Sequence, residues 1–378
     1  MNFTISVETL KSILKKLDKF YKSKSGDRTK RIKCICTDES LSIQTQVSEQ
    51  TVRLEYKLED FGIIAHETGA TVLEYPRLKA MVETLPNKEI AEFHLDNKEN
   101  VILSCGRSRF KFATESPDTF RDVKRFEGGS RFRFNANELV AALNACTIAV
   151  DEKQKYPLCG VYIGKSDEEG KIDVVGCDLK IMCRAKIECV DYPENYKKGI
   201  VISKVSAIAC AGLYETCYDE EGHVDFLVNE NMCIIDDGQT SYYIGLLDGT
   251  YPAFQKLFQT DDSWGSMLVN KEEFLAAIKQ VSLATTEEYP GALITFDDDS
   301  LDIKSASPEY GEARTLASCV NAPVGKMKFD TRLLLVCFPF NLETVTIKTP
   351  PKLNKQIIIN PEGSIQFLVM PLAMRGDD

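Results

Sequence analysis

Phe3-Thr-Ile-Ser-Val-Glu-Thr-Leu-Lys-Ser-Ile-Leu14 reads as a short alternating strand, a serine cap and the start of an amphipathic helix. The same pattern returns in Phe132-Arg-Phe-Asn-Ala-Asn-Glu-Leu-Val-Ala-Ala-Leu143 and in Met267-Leu-Val-Asn-Lys-Glu-Glu-Phe-Leu-Ala-Ala-Ile278. The second copy begins 129 residues after the first, and the third 135 after the second. The likeness continues downstream. A second helix is predicted in each copy, over residues 75–85, 201–214 and 331–338. Alternating strands follow at 90–95 and 101–105 in the first copy and at 224–228 and 233–236 in the second. Each copy closes on a similar strand, at 109–112, 242–246 and 365–369. The repetition predicts three concatenated α+β modules, residues 1–126, 127–263 and 264–378, joined by linkers at 121–130 and 259–266. Each module would pack two helices on antiparallel sheet. The strands alternate in character, as in Thr51-Val-Arg-Leu-Glu-Tyr56, so one sheet face is packed and the other is wet or covered.

Composition bounds the function. The chain has 378 residues, 43% hydrophobic and 27% charged, enough apolar material for several cores. No apolar run approaches the roughly 20 residues that cross a bilayer. The first residues carry no apolar signal region, and the 13 cysteines contain no C-x-x-C pair, which predicts a reducing, cytoplasmic setting. The net charge of −11 argues against nucleic acid as a partner. Its distribution argues the other way. The three modules carry nets of +3, −10 and −4, and the first 33 residues alone carry +7.

That basic segment centres on the first helix. Leu10, Ile13, Leu14 and Leu17 form its buried stripe, while Lys11, Lys15 and Lys19 recur every four residues on another face, with Lys16 nearby. Lys22, Lys24, Arg28, Lys30 and Arg31 follow. Two readings stand, a solvated helix face or a surface for sequence-independent phosphate contact. No aromatics interleave with Lys11, Lys15, Lys16 and Lys19 in sequence, which argues against a single-strand stacking platform. Other motifs are set aside. Gly160-Val-Tyr-Ile-Gly-Lys-Ser166 is one residue short of a phosphate loop and runs into an acidic turn, so it reads as a hairpin. His66, His94 and His223 are far apart, and no metal site or cofactor is expected. No catalytic constellation is apparent, so the chain is not expected to be an enzyme.

Five further stretches, in order, resemble the bacterial DNA polymerase III beta subunit, the sliding clamp family. They are Cys105-Gly-Arg-Ser-Arg-Phe110, Tyr156-Pro-Leu-Cys-Gly-Val161, Val175-Gly-Cys-Asp-Leu-Lys-Ile-Met182, Leu247-Asp-Gly-Thr-Tyr-Pro-Ala-Phe254 and Val369-Met-Pro-Leu372. The resemblance implies the DNA clamp fold and a head-to-tail homodimer ring of six modules around duplex DNA. It also implies a replication processivity factor without catalysis, serving polymerase and clamp loader through short linear peptides at replication sites on the nucleoid. Lys11, Lys15, Lys22, Lys24, Arg28, Lys30, Arg77, Lys155, Lys197, Lys198 and Lys204 would face the DNA. Arg107, Arg109, Phe110 and Phe112 would meet Leu283, Ala284, Glu309 and Glu312 of a second copy, although both phenylalanines equally suit the core of their own sheet. A peptide pocket would be lined by Leu158, Cys177, Leu179, Lys180, Met182, Pro252, Leu257, Leu333, Val369, Met370, Pro371 and Leu372. For Leu158 and Met370, ordinary core packing is the competing reading.

The chain also departs from the family. Its Gly-His-Arg is here Leu179-Lys-Ile181, its final Met-Arg-Leu is Leu372-Ala-Met-Arg375 with Gly-Asp-Asp appended, and the basic start of a central helix is Ser203-Lys-Val-Ser206. These departures keep an alternative open, a diverged clamp-fold scaffold that binds proteins and does not encircle DNA.

Overall fold

The computed structural model describes residues 1–22, 30–121, 126–191 and 199–374, with the side chains of 22 and 191 outside the described set. The element order repeats three times. The first copy runs β1 (Asn2–Ser6), α1 (Val7–Lys22), β2 (Arg31–Cys36), β3 (Ser40–Val47), β4 (Gln50–Lys57), β5 (Ile64–Glu67), β6 (Gly69–Glu74), α2 (Tyr75–Glu83), β7 (Ile90–Leu95), β8 (Asn100–Cys105) and β9 (Ser108–Ala113). The second runs β10 (Ser130–Asn135), α3 (Ala136–Ile148), β11 (Gly160–Lys165), β12 (Lys171–Cys177), β13 (Ile181–Asp191), β14 (Ile200–Ser203), α4 (Lys204–Leu213), β15 (His223–Val228), β16 (Met232–Asp236) and β17 (Thr240–Gly245). The third runs β18 (Gly265–Asn270), α5 (Lys271–Ser282), β19 (Gly291–Asp297), β20 (Ser300–Ser307), β21 (Gly311–Val320), β22 (Gly325–Asp330), α6 (Thr331–Val336), β23 (Thr344–Thr349), β24 (Ile357–Ile359) and β25 (Ile365–Val369). Among the described residues, only β5 lacks a counterpart in the other copies.

Local chemistry starts the helices as the sequence predicts. Ser6 Oγ accepts the Thr9 N–H at 3.0 Å, and Asn135, Ser203, Asn270 and Asp330 cap α3, α4, α5 and α6 in the same way. The stripe Leu10, Ile13, Leu14 and Leu17 is buried. The second helices are shorter than expected. In the second copy, Val201 and Ile202 lie in β14, whose β-branched side chains suit a strand, and Ser203 then caps α4. In the third, α6 stops at Val336 ahead of Pro339, which disfavours helical backbone in the residue before it. The stretch set aside as a false phosphate loop is a hairpin, with Lys165 opposite Ile172 across β11 and β12.

The chain forms two compact units. The first comprises Met1–Leu143, Glu188–Lys197 and Ile202–Leu247. It contains a continuous antiparallel sheet ordered β6-β2-β3-β4-β17-β16-β15-β10. A second sheet is ordered β5-β1-β7-β8-β9, with β9 at its edge. The β4–β17 junction is locked by Gln50, which donates to Ser206 of α4 at 2.8 Å and accepts from the buried Tyr242 hydroxyl at 2.5 Å.

The second unit comprises Asn144–Ile187, Lys198–Val201 and Asp248–Asp378. Its strands pair in the order β13-β25-β24-β23-β18 and β22-β19-β20-β21, the two runs meeting where Leu268 and Val269 oppose Val320 and Cys319. At the β13–β25 junction Arg184 opposes Gln366. Its guanidinium holds Asp173 through contacts of 2.8 and 2.9 Å, with both side chains essentially buried, and also pairs with Asp167. The Phe254 and Phe258 rings cover it at 5.7 and 5.8 Å.

A buried pair of this kind holds because each charge satisfies the other, so removing one partner is costlier than removing both. Arg184→Met should therefore lower the unfolding free energy by about 3–5 kcal/mol, while Arg184→Met combined with Asp173→Leu should recover most of the loss. Denaturant midpoints of the three proteins, followed by circular dichroism, check both expectations.

Candidate functional site

Helix α1 presents the lysines, but most are engaged. Lys11 Nζ donates to the Leu85 carbonyl at 2.6 Å and to Asn87 Oδ1 at 2.7 Å, bracing the segment after α2. Lys16 lies 3.7 Å from the fully buried Asp237 carboxylate, and burial pushes its ammonium below the usual lysine range. Lys19 pairs with Glu215 at 2.6 Å. Lys15 is exposed and makes no hydrogen bond or ion pair with the described residues. Gly212 permits the close approach of α4, since a Cβ there would stand 3.1 Å from Lys19 Cβ.

The other cations expected at DNA are scattered. Lys30 is half-buried with its ammonium 5.0 Å from the Tyr21 ring centre. Arg77 is exposed in α2, Lys155 is exposed in the second unit, and Lys204 is half-buried at the first position of α4. Lys24, Arg28, Lys197, Lys198 and the Lys22 side chain lie outside the described residues.

The two strands expected at a subunit contact are both sheet edges. Among the described residues β9 pairs only with β8, and Arg107 and Arg109 are exposed along it. Strand β21 pairs with β20 along residues 311–318, and its other side meets β18 only at Cys319 and Val320. Glu309 and Glu312 are exposed at its start. Leu283 stands 77% exposed at the C-cap of α5. Two expected contact residues are corrected. Phe112 and Ala284 are each 3% exposed and belong to the cores of their own units, while Phe110 is half-buried on the same strand face as Phe112.

The expected peptide pocket divides in a similar way. Cys177, Met182 and Val369 are core residues, with Val369 opposite both Ile181 and Ile357. The remainder includes a surface. The Lys180 carbonyl accepts the Met370 N–H at 2.8 Å, and Leu372 N–H reaches the Lys328 carbonyl at 2.7 Å, so the turn at 178–180 lies against the chain's last described stretch. Leu179, Leu257 and Met370 are exposed at 63, 41 and 40%, so Met370 is not a core residue. Lys180 and Pro252 are exposed, and Leu158, Leu333, Pro371 and Leu372 are half-buried. Leu179 is also strained. Its φ is +75°, held by Asp178 Oδ1 accepting the Lys180 and Ile181 N–H groups and by Cys177 Sγ accepting its own N–H.

Sequence reasoning missed the surroundings of the lysines. Tyr56, Phe61 and Tyr218 line a cleft together with Lys15, Lys16 and Lys19. Tyr56 and Phe61 lie across β4 and the turn after it, and Tyr218 follows α4, so only the fold brings them to α1. Asp219, Glu221 and His223 also converge, with ligand-type atoms within 4.8 Å of one another. Their charges are met internally, since His223 Nδ1 lies 3.5 Å from Glu221 and Arg133 lies 3.8 Å from Asp219.

The architecture matches solved structures along its whole length. A sliding clamp from Pseudomonas aeruginosa, a DNA polymerase III subunit beta bound to griselimycin, superimposes with a TM-score of 0.87 at 17% identity over 99% of this chain and 100% of that one. A DNA polymerase sliding clamp from Bacillus subtilis gives 0.85 at 20% identity with the same coverage. The fold is that of the sliding clamps. By sequence, the chain is 22% identical to a beta sliding clamp of Chlamydia pneumoniae over 315 residues, covering 82% of this chain and 83% of that protein. It is likewise 22% identical to one from Staphylococcus aureus over 313 residues, covering 81 and 80%. No family model matches. No helix among the described residues is long and apolar enough to cross a membrane.

Within the clamp fold, Leu179 occupies a turn position where glycine would be unstrained. Leu179→Gly should raise the unfolding free energy by about 1 kcal/mol by relieving left-handed strain, whereas Leu179→Ala should not. Thermal melts of the two variants check this.

Proposed function

We propose that the protein is a DNA sliding clamp, a processivity factor with no chemistry of its own, which closes as a head-to-tail dimer around duplex DNA. The observation that carries the closure is a repeated joint. In the first copy the strand after the second hairpin of the sheet, β4, pairs antiparallel with the closing strand of the next copy, β17. Its counterpart in the second copy, β13, pairs with the closing strand of the third, β25. The remaining counterparts are β21 and β9, and both are open edges among the described residues. A second molecule supplies the missing partner in each case, which makes the contact heterologous and self-closing. The first half of β21 would then run antiparallel to β9, bringing Glu312 near Lys111 and within diagonal reach of Arg109.

Ring closure changes what the DNA contacts must do. A topologically held clamp needs only weak phosphate contacts, and tight ones would hinder sliding. The internal engagement of Lys11, Lys16 and Lys19 leaves Lys15 as the freest of these four lysines, which suits that requirement. Arg77, Lys155 and Lys204 are further candidates for the inner surface. The exposed apolar set around Leu179, Leu257 and Met370 is the proposed seat for short peptides of polymerase, clamp loader and other clients. Together these contacts make polymerase re-encounter intramolecular, and they direct the protein to replication sites on the nucleoid.

Two experiments test the reading. After loading onto DNA, the protein should remain on closed circles and leave when they are linearised, and equal retention on linear DNA with free ends would favour the non-encircling scaffold. Separately, Arg109→Glu should weaken dimerisation by about tenfold, and adding Glu312→Arg should restore it. Sedimentation equilibrium reads this as a shift between 42.4 kDa and twice that mass.

A further inference from the structure

The cleft beside α1 has a volume of about 620 Å³, within the usual range of small-ligand sites. Its two walls differ in chemistry. One is the lysine face of α1, with Lys15, Lys16 and Lys19. The other is aromatic. Tyr56 is buried and meets Phe61 edge-on at 4.9 Å, and Phe61 in turn lies against Tyr218 at 6.2 Å with the planes 31° apart. The outer ring is fixed at both ends. The Tyr218 hydroxyl donates to Asp60 at 3.2 Å and its backbone N–H donates to Asp237 at 3.1 Å. Tyr218 nonetheless keeps 40% of its surface exposed, and Phe61 is half-buried beside it. The platform is therefore built before any ligand arrives.

The charges facing the cleft are Lys15, Lys16 and Lys19 against Glu215, Asp237 and Asp60. Asp237 is occupied by Lys16 and by backbone donors, and Asp60 by Tyr218. Glu215 is shared by Lys19 and, electrostatically, Lys15. The three lysines and three carboxylates balance, and Lys15 is the exposed lysine of the set, with no hydrogen bond or ion pair to the described residues. Aromatic faces alone would suit an apolar side chain, and lysines alone would suit the backbone of a duplex. A ring platform that shares a cleft with an exposed lysine suits a unit that carries both a flat base and a phosphate.

We infer that this cleft binds an unpaired nucleotide of single-stranded DNA, its base stacked on Phe61 and Tyr218 and its phosphate directed to Lys15 and Lys19. The inference rests on the proposal that α1 faces DNA and extends it, because it gives the protein a contact for unpaired strand beside its contact for duplex. A phosphate arriving at Lys19 would compete with Glu215 for the same ammonium, so binding should be weak and salt-sensitive.

The test uses the full chain and fluorescence anisotropy with three probes, a labelled oligo(dT) of about 20 nucleotides, a duplex of the same length and a poly-glutamate peptide. Phe61→Leu keeps an apolar side chain and removes the stack, and Tyr218→Leu does the same at a more exposed position. Each should weaken oligo(dT) binding by about tenfold and leave duplex affinity within about twofold, whereas Lys15→Glu should weaken both. Oligo(dT) binding unchanged in both leucine variants would overturn the inference. So would poly-glutamate binding more tightly than oligo(dT) and being lost in the same variants, which would make the cleft a site for acidic peptide. Retention on closed circular duplex separates the two readings. If retention holds in the wild type while the leucine variants bind oligo(dT) normally, only this inference fails, and if retention itself is absent, the clamp proposal fails first.

Discussion

A strand at the edge of a sheet exposes backbone N–H and C=O groups that must find partners in water or in another strand. This protein deals with that liability twice in the same way, by donating an edge strand of one copy of the repeat to the closing strand of the next. The joints are reinforced by buried polar groups. Gln50, Ser206 and Tyr242 are hydrogen-bonded at the first, and the Arg184–Asp173 pair lies at the second. Neither set adds much hydrophobic stabilisation. Their effect is to disfavour other registers, because a one-residue slip would leave a buried amide or charge without its partner. The two compact units follow from this arrangement, since each is assembled around one joint and draws on part of the central repeat.

The acidic total and the basic first helix belong to one electrostatic design. The chain as a whole repels polyanions, so the proposed contact with DNA has to be local. Even on α1 the positive charge is offset by Asp237 and Glu215, and the Lys11 ammonium is tied to Asn87. A protein that relied on affinity alone would gain nothing by pairing its lysines internally. One that relies on encirclement gains mobility along the duplex, provided that a few weak contacts keep it oriented.

Much of this was legible in the sequence because the signals are local. Cap residues and the i, i+3, i+4 stripe announce each first helix, and Leu10, Ile13, Leu14 and Leu17 are buried as the spacing requires. Alternation located the closing strands. It could not say which face of β9 is covered, because period two is the same for a core face and a contact face, and Phe112 proved to be core while Phe110 is half-exposed. The aromatic wall was illegible for a different reason. Tyr56, Phe61 and Tyr218 belong to separate segments, so the absence of aromatics between Lys11 and Lys19 in sequence said nothing about their absence in space.

The turns that precede the joint strands show how the repeat tolerates divergence. Each joint strand, or its counterpart, begins just after a residue with left-handed backbone or at one: Ser48 at φ +54° before β4, Leu179 at +75° before β13, and Gly311 at +74° opening β21. The geometry is kept while the residue type changes, so the turn is fixed by the register of the strand it launches rather than by a glycine. Glycine meets that geometry without strain, and serine is small enough to meet it at modest cost. Leucine gains nothing for the backbone, and its side chain is left 63% exposed beside Met370 rather than packed. A residue that is poor for the turn and unused by the core is placed for what it presents outward, which ties the strain at Leu179 to the apolar surface on which client peptides are proposed to dock.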